Sequence, residues 1–239
     1  MKNRKVSAGC AAIAAVIGIV AGGFVRASER SGGADIAKGG QIALNGTDNG
    51  AAPCSSCHGE SGEGNAEQGF PRIAGMSAWY LSKQLQDYAS GARENEIMQP
   101  IAQALAAEET RAVTAYYAGA TAAYPDPAPV PPAQWHRGRT LVQIGDNAKS
   151  LQACVSCHGP DGRGLPPDIP SIAGQHATYI QQQFQAWTDG RRHNDPAGQM
   201  AAVVHQLDDG DREALAAYLA GLRPEVVAGI STRPETECP

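Results

Sequence analysis

Large aromatic side chains are scarce in this sequence. Only three Phe and three Trp occur among its 239 residues, and Phe, Trp and Tyr together make up 5%. A chain of this length suits one large domain or two small ones, and this is a thin supply of large side chains for two cores. We therefore expect something else to help fill the interior.

A disulfide framework and an excess of positive charge are also missing. Four of the six cysteines lie in two short motifs, while Cys10 lies in an N-terminal apolar run and Cys238 next to the C-terminus. This distribution excludes a disulfide-stapled scaffold and leaves Cys238 as an unpaired tail thiol or one that pairs with another molecule. The 19 basic and 24 acidic residues give a net charge of −5. Because an acidic protein is poorly suited to nucleic acid, no such partner is expected.

One short motif occurs twice. It reads Cys-Ser-Ser-Cys-His at residues 54–58 and Cys-Val-Ser-Cys-His at residues 154–158. C-x-x-C-H is the attachment signature of c-type haem, in which two thiols bond the haem vinyl groups and the next histidine binds iron. The motifs predict two covalently bound haem c groups, which would also help to fill the cores. The attaching thiols would be Cys54, Cys57, Cys154 and Cys157, and the iron ligands His58 and His158.

Two other uses of the C-x-x-C spacing fit less well. A thioredoxin-like dithiol belongs beside a βαβ pattern, and no such pattern is visible. A zinc site built from both pairs needs them roughly 15–20 residues apart, whereas Cys57 and Cys154 are 97 positions apart (154 − 57). Haem attachment therefore remains the favoured interpretation.

The N-terminus has the features of a targeting segment. Lys2, Arg4 and Lys5 precede a run without charge over residues 6–25. Cleavage next to Ala27 would make this a signal peptide, yet the run is also long enough to span a bilayer. The sequence thus predicts a signal peptide or membrane anchor over residues 1–27, with the rest of the chain exported.

The remainder of the chain consists of two related halves. Gly39 matches Gly138 at an offset of 99 positions, and Tyr116 matches Tyr218 at an offset of 102. Capping residues and apolar spacing predict helices over residues 35–46 and 77–89 and from Leu105 to about Gly119. We therefore expect an all-α protein. Its predicted parts are a first domain at 28–122, a proline-rich extended linker at 123–134, a second domain at 135–223 and a tail at 224–239.

The duplication also selects a second iron ligand in each half. Met98 and Met200 occupy matching positions, each seven residues before a leucine and about 40 residues after a motif histidine. Methionine more often fills gaps in a core, but the matched placement favours axial ligation. Four other histidines have no histidine at the partner position and are expected to be surface or structural residues: His136, His176, His193 and His205.

A histidine and a methionine together fill both axial positions of a haem iron. No position is then left for a substrate, so electron transfer is favoured over catalysis, and we predict no catalytic residue. An enzyme such as a dihaem peroxidase or a thiosulfate-oxidising cytochrome would need an open iron or a reactive ligand such as cysteine.

These features resemble the dihaem cytochrome c4 family, which has two tandem class I cytochrome c domains. The likeness covers roughly residues 34–222 and rests on both C-x-x-C-H motifs, on Pro-x-x-Ala-Gly at residues 71–75 and 170–174, and on the two methionines. It implies that haem propionates face across the domain interface. It also implies that the Pro71 and Pro170 carbonyls accept the Nδ1 proton of each haem histidine, and that Gly39 and Gly138 lie where the first and last helices cross.

The resemblance further implies periplasmic electron transfer between respiratory-chain partners. A quinol-oxidising complex or another protein would donate electrons, and a terminal oxidase would accept them. A second interpretation stays open, in which the chain is the electron-accepting cytochrome subunit of a periplasmic dehydrogenase that uses flavin or oxidises sulfur compounds. In either case we expect a periplasmic protein, soluble after signal cleavage or anchored to the inner membrane through residues 6–25.

Overall fold

The computed structural model describes residues 35–124, 126 and 128–224. Within these ranges nearly all of the regular secondary structure is helical, which confirms the predicted all-α class. The proposed signal or anchor over residues 1–27, most of the C-terminal tail, Cys10 and Cys238 lie outside the described residues. In the part that is described, no helix is long and apolar enough to cross a membrane.

The described part of the first half contains five helices. They are α1 over residues 35–45, α2 (Ser55–His58), α3 (Ala78–Ser90), α4 (Met98–Ala104) and α5 (Ala107–Gly119). Ser77 caps α3 as predicted, because its hydroxyl accepts a hydrogen bond from the Tyr80 amide at 3.3 Å. The start of α5 is fixed by the Glu109 carboxylate, which accepts from the Ala106 amide at 2.8 Å.

The second half repeats this order and adds a small hairpin. Its elements are α6 (Pro132–Gln143), β1 (Gly145–Asp146), β2 (Leu151–Gln152), α7 (Val155–His158), α8 (Ala177–Thr188), α9 (Gln199–His205) and α10 (Asp209–Gly221). The two strands pair antiparallel, with Gly145 opposite Gln152. Helix α6 begins at Pro132, inside the predicted linker, because proline suits the first turn of a helix.

Glycine allows the first and last helices of each half to touch. A Cβ atom on Gly39 would lie 2.1 Å from the Ala112 carbonyl oxygen of α5. In the same way, a Cβ atom on Gly138 would lie 2.3 Å from the Ala214 carbonyl oxygen of α10. Both crossings implied by the resemblance are thus confirmed.

The two protein cores differ in size. Among the described residues of the second half, twelve buried residues form one cluster around the α6–α10 crossing, including Leu141, Phe184 and Trp187. The corresponding cluster of the first half has five members, of which Tyr117 is the largest. The first half therefore has less core of its own, which agrees with the scarcity of large side chains in the sequence.

Three loops explain why the offset between matching residues drifts. The turn from Gly46 to Ala51 becomes the hairpin from Gly145 to Leu151, one residue longer, with Ser150 at a positive φ of 55°. A later loop is one residue shorter, because a bridge between Asn65 and Phe70 becomes one between Leu165 and Ile169. Finally, three residues are added before Met200, where a 3₁₀ turn covers Pro196–Gly198.

The expected single last helix of the first half is wrong in detail. Leu105 does not begin that helix but ends α4, with an extended backbone at φ −85° and ψ 125°. The sequence pattern missed α4 and α9, since seven residues make only two turns and show no clear periodicity. Each of the two helices nevertheless carries a candidate methionine ligand in its first turn.

We predict that Gly138→Ala destabilises the protein. Its Cβ atom would collide with the backbone of α10, which cannot move aside as a flexible side chain would. The expected loss in the free energy of unfolding is about 3 kcal/mol, at the upper end of overpacking effects, measured by denaturant titration of the holoprotein.

Gly210→Ala on α10 is the matched control for this prediction. Its Cβ atom would meet only the Asp208 carboxylate, at an ordinary 3.4 Å. The free energy of unfolding should stay unchanged or rise by up to about 1 kcal/mol. Equal behaviour of the two variants would contradict the proposed close crossing.

Candidate haem sites

The first motif forms a short helix that ends at a buried histidine. The His58 imidazole is only 8% exposed, and its Nδ1 lies 3.0 Å from the Pro71 carbonyl oxygen. A carbonyl can only accept, so Nδ1 carries the proton and Nε2 keeps its lone pair for a metal. The backbone after the helix is held as well, because the Gly64 amide donates to the His58 carbonyl at 2.7 Å.

The second motif repeats this arrangement. His158 is 9% exposed, and its Nδ1 lies 2.9 Å from the Pro170 carbonyl oxygen. The Gly164 amide donates to the His158 carbonyl at 2.7 Å. Both proline contacts implied by the resemblance are therefore confirmed, and each fixes the orientation and tautomer of a histidine ring.

Burial keeps both imidazoles neutral. It lowers the pKa of His58 and of His158 below the ordinary value, although the hydrogen bond to each proline carbonyl acts in the opposite direction. The neutral form is the one that binds a metal. The environment thus prepares both rings for the role that the motifs predict.

The four motif cysteines carry no disulfide. Burial raises the pKa of Cys54 and of Cys154 to about 11, so before haem attachment both would be protonated thiols near neutral pH. Each packs against the core cluster of its own half. Cys57 is half-buried and Cys157 is exposed.

The two candidate methionines are placed alike, each in the first turn of a short helix. The Met98 amide donates to the Asn95 side chain at 2.8 Å, and the Met200 amide donates to the Asp195 carboxylate at 2.7 Å. Both side chains are half-buried, and Met200 packs against the same core cluster as Cys154. Ligation of iron by either methionine remains a prediction.

The remaining histidines are surface or structural residues, as expected. His136, His193 and His205 are exposed. His176 is 5% exposed, and its Nε2 lies 2.9 Å from the Glu63 carbonyl oxygen in the other half of the chain. Ser77 occupies the position that matches His176, which speaks against a ligand shared by both halves. The same difference between the halves is the sequence signal for an interface residue.

A pair of buried arginines lies where the two halves meet. Arg93 and Arg192 are 4% and 7% exposed and form an isolated antiparallel bridge with each other. The Arg93 guanidinium donates to the Tyr179 hydroxyl of the other half at 2.7 Å, and that of Arg192 donates to the Tyr80 hydroxyl at 3.3 Å. Neither arginine belongs to a recognised sequence motif, although both follow a glycine by two positions in matching places.

The surroundings of these two arginines show whether the residues present suit a bound haem. Within the described residues, each guanidinium donates only to neutral side chains, and neither forms an ion pair. Buried charges in proteins are normally paired, so two cations here call for anions that the described residues do not supply. Each haem c brings two propionate carboxylates, so the residues present fit the group that the motifs predict.

Comparison with known proteins agrees with this geometry. The family model for cytochrome c matches twice, over residues 43–120 and 143–223. The thiosulfate dehydrogenase electron acceptor of Thiomonas intermedia is 40% identical over 171 residues, which cover 71% of this chain and 78% of that protein. Cytochrome c4 of Pseudomonas aeruginosa is 33% identical over 174 residues, which cover 72% of this chain and 85% of that protein.

Among solved structures, the thiosulfate dehydrogenase TsdBA of Marichromatium purpuratum in its "as isolated" form matches with a TM-score of 0.74 and 37% identity. The match covers 79% of this chain and 40% of that one. Two matching domains, each with an attachment motif, imply two covalently bound haems, and the relatives are named as electron acceptor and cytochrome. This chain therefore belongs to the cytochrome c family, as a dihaem, cytochrome c4-like electron-transfer protein.

Proposed function

We propose that this protein accepts electrons from a thiosulfate dehydrogenase in the periplasm and carries them to a further redox protein. The observation that supports this most is the 40% identity to a relative named as the electron acceptor of that enzyme. Identity to the cytochrome c4 of Pseudomonas aeruginosa is lower, at 33%. Of the two interpretations left open by the sequence, the dehydrogenase partner is thus favoured.

The proposed onward partner and the proposed membrane attachment have less support than the proposed electron donor. None of the three relatives is named for a quinol-oxidising complex or a terminal oxidase, so a terminal oxidase as acceptor remains a prediction. A periplasmic location is supported by the basic and apolar N-terminal sequence. Cleavage after Ala27 and anchoring through residues 6–25 both remain predictions.

For each haem we propose one thioether-linked cysteine pair and one His/Met ligand set. Cys54 and Cys57 would hold the first haem and Cys154 and Cys157 the second, with the ligand pairs His58/Met98 and His158/Met200. When bound, each haem c supplies a reversible one-electron iron couple. The chain's own residues hold the ring tautomers, exclude water and supply positive charge at the interface.

Two one-electron sites suit the proposed donor. Oxidation of a sulfur compound to a stable product usually removes two electrons, so a carrier with two sites can accept both in one encounter. The proposed ligand sets leave no coordination position for thiosulfate itself. The chemistry on sulfur would then stay with the dehydrogenase.

An exposed apolar residue marks a place where the dehydrogenase could dock. Ile97 is 50% exposed and directly precedes the proposed ligand Met98. The matching position of the second half, directly before Met200, is Gln199. An apolar contact beside a ligand brings a partner close to the haem, so we propose that electrons enter through the first domain.

We predict that Met98→Ala and Met200→Ala each open one iron. Each variant should lose about half of the near-infrared sulfur-to-iron band of the oxidised protein and bind carbon monoxide at one haem when reduced. Met76→Leu is the control, since Met76 has no methionine partner in the second half, and should change neither signal. A full-strength band in Met98→Ala or Met200→Ala would show that this methionine is not a ligand.

We predict that thiosulfate together with a catalytic amount of a purified thiosulfate dehydrogenase reduces both haems of the oxidised protein. The measurement is the rise of reduced-haem absorbance in stopped-flow mixing, with thiosulfate alone as control. Reduction should be complete with the enzyme and negligible without it. Dithionite should reduce the haems in both mixtures, which shows that they are redox-active. Equal rates of reduction with and without the enzyme would then contradict the proposed donor.

We predict that Ile97→Gln lowers kcat/KM for this reduction roughly tenfold, because one buried isoleucine contributes about 1.5 kcal/mol to an interface. Ile144→Gln is the matched control: Ile144 is 75% exposed but lies beside the hairpin of the second half. The control should keep the wild-type kcat/KM. An effect confined to Ile144→Gln would place docking on the second domain instead.

A further inference from the structure

Gln175, in the second half of the chain, forms a closed pair of hydrogen bonds with the backbone of Arg72 in the first half. Its Oε1 accepts from the Arg72 amide at 2.9 Å, and its Nε2 donates to the Arg72 carbonyl at 2.9 Å. Gln175 is 5% exposed. The contact joins residues 103 positions apart and is shielded from water, so it belongs to the stable part of the interface.

The Arg72 amide belongs to the same peptide group as the Pro71 carbonyl, and such a group is planar and rigid. One end of this group accepts from His58 Nδ1 at 3.0 Å, and the other end donates to Gln175 at 2.9 Å. Hydrogen bonds in a chain polarise one another. Gln175 therefore both holds the group that orients His58 and makes its carbonyl a stronger acceptor.

The next residue does the same at a second peptide group. His176 Nε2 donates to the Glu63 carbonyl at 2.9 Å, and the amide of the same group, that of Gly64, donates to the His58 carbonyl at 2.7 Å. Burial lowers the pKa of His176 below its ordinary value, which agrees with a neutral ring that donates from Nε2. Two adjacent residues of one half thus hold both backbone groups that fix His58.

No described residue of the first half holds the backbone around His158 in the same way. His158 has the same two backbone contacts, from Pro170 and Gly164. The residues that match Gln175 and His176, however, are Met76 and Ser77. Methionine has no amide to bond with, and the Ser77 hydroxyl donates instead to the Pro167 carbonyl at 2.7 Å.

From this asymmetry we propose that Gln175 and His176 are positioning residues for the iron ligand of the other domain, acting on His58 and not on His158. This rests on the proposed ligation by His58. Because a more polarised carbonyl makes the imidazole a stronger electron donor, the pair stabilises the oxidised state of the first haem. The second domain thereby adjusts the midpoint potential of the first haem, because it acts on the backbone of the first domain.

The test compares Gln175→Met with wild-type holoprotein. Methionine has nearly the same length as glutamine and is the residue that the first half carries at the matching position, so it removes both hydrogen bonds and little volume. We expect one of the two midpoint potentials to rise while the other stays unchanged, as measured by spectroelectrochemistry. Exchange of one histidine Nδ1 proton with water, followed by NMR, should accelerate roughly fivefold to tenfold. This is the effect of losing the one hydrogen bond that the Arg72 amide donates to Gln175.

Two further variants distinguish a positioning role of Gln175 from a general loosening of the interface packing. Gln175→Glu keeps an oxygen that accepts from the Arg72 amide, so the same midpoint potential should stay at the wild-type value or fall. Ser77→Gly removes a different interdomain hydrogen bond and is tolerated at a helix N-cap, so neither potential should move. A rise for Gln175→Glu as large as that for Gln175→Met would overturn the proposal, as would equal shifts of both potentials in Gln175→Met or no shift at all.

Ligand identity is checked separately from these shifts. Wild-type protein should show two sets of hyperfine-shifted histidine ring resonances, together with the full near-infrared band. If the set assigned to His58 were missing, the proposed ligation by His58 would fail. If both sets were present and Gln175→Met left both potentials and both exchange rates unchanged, the ligation would stand and the positioning role would be disproved.

Discussion

Each half of this protein depends on one hydrogen bond, from a histidine Nδ1 to a proline carbonyl. The bond decides which ring nitrogen carries the proton, and so it leaves the other nitrogen as a ligand. It needs a proline loop that returns to the motif helix, and glycine makes that return possible. A Cβ atom on Gly64 would lie 2.6 Å from the Arg72 amide nitrogen, and one on Gly164 2.6 Å from that of Ser171. Fold and site are therefore fixed by the same few backbone contacts.

The duplication explains what the halves share, and the interface explains where they differ. Residues that hold a histidine or cross two helices recur in both halves, because each domain must satisfy the same local geometry. Residues at the interface do not face equivalent surroundings, so they need not be the same in the two halves. Gln175 and Met76 occupy matching positions yet perform different tasks, as do His176 and Ser77. The buried pair Arg93 and Arg192 is an exception, since each arginine reaches a matching tyrosine across the interface.

Sequence alone predicted the features that depend on local chemistry. The motif spacing and the cap at Ser77 each follow from a short stretch of residues, whereas the glycines at the helix crossings were implied by the family resemblance. The structure confirms the helix and both crossings. The short helices α4 and α9 were missed because two turns carry too little periodicity. The contacts of Gln175 and His176 were missed for a different reason: they join residues more than 100 positions apart, and no local pattern predicts such a pairing. The structure therefore adds most at the interface.

The difference between local contacts, which the halves share, and interface contacts, which they do not, bears on how the two haems can have unequal midpoint potentials. If both irons have the same proposed ligands and both histidines the same backbone contacts, the local chemistry gives the two haems similar potentials. A difference must then come from groups that the halves do not share. Gln175 is such a group, because it polarises the peptide group bonded to His58, and among the described residues no counterpart acts on His158. The described interface thus contains a physical cause for unequal potentials that the motifs themselves lack, and it places that cause on the domain opposite the haem it affects.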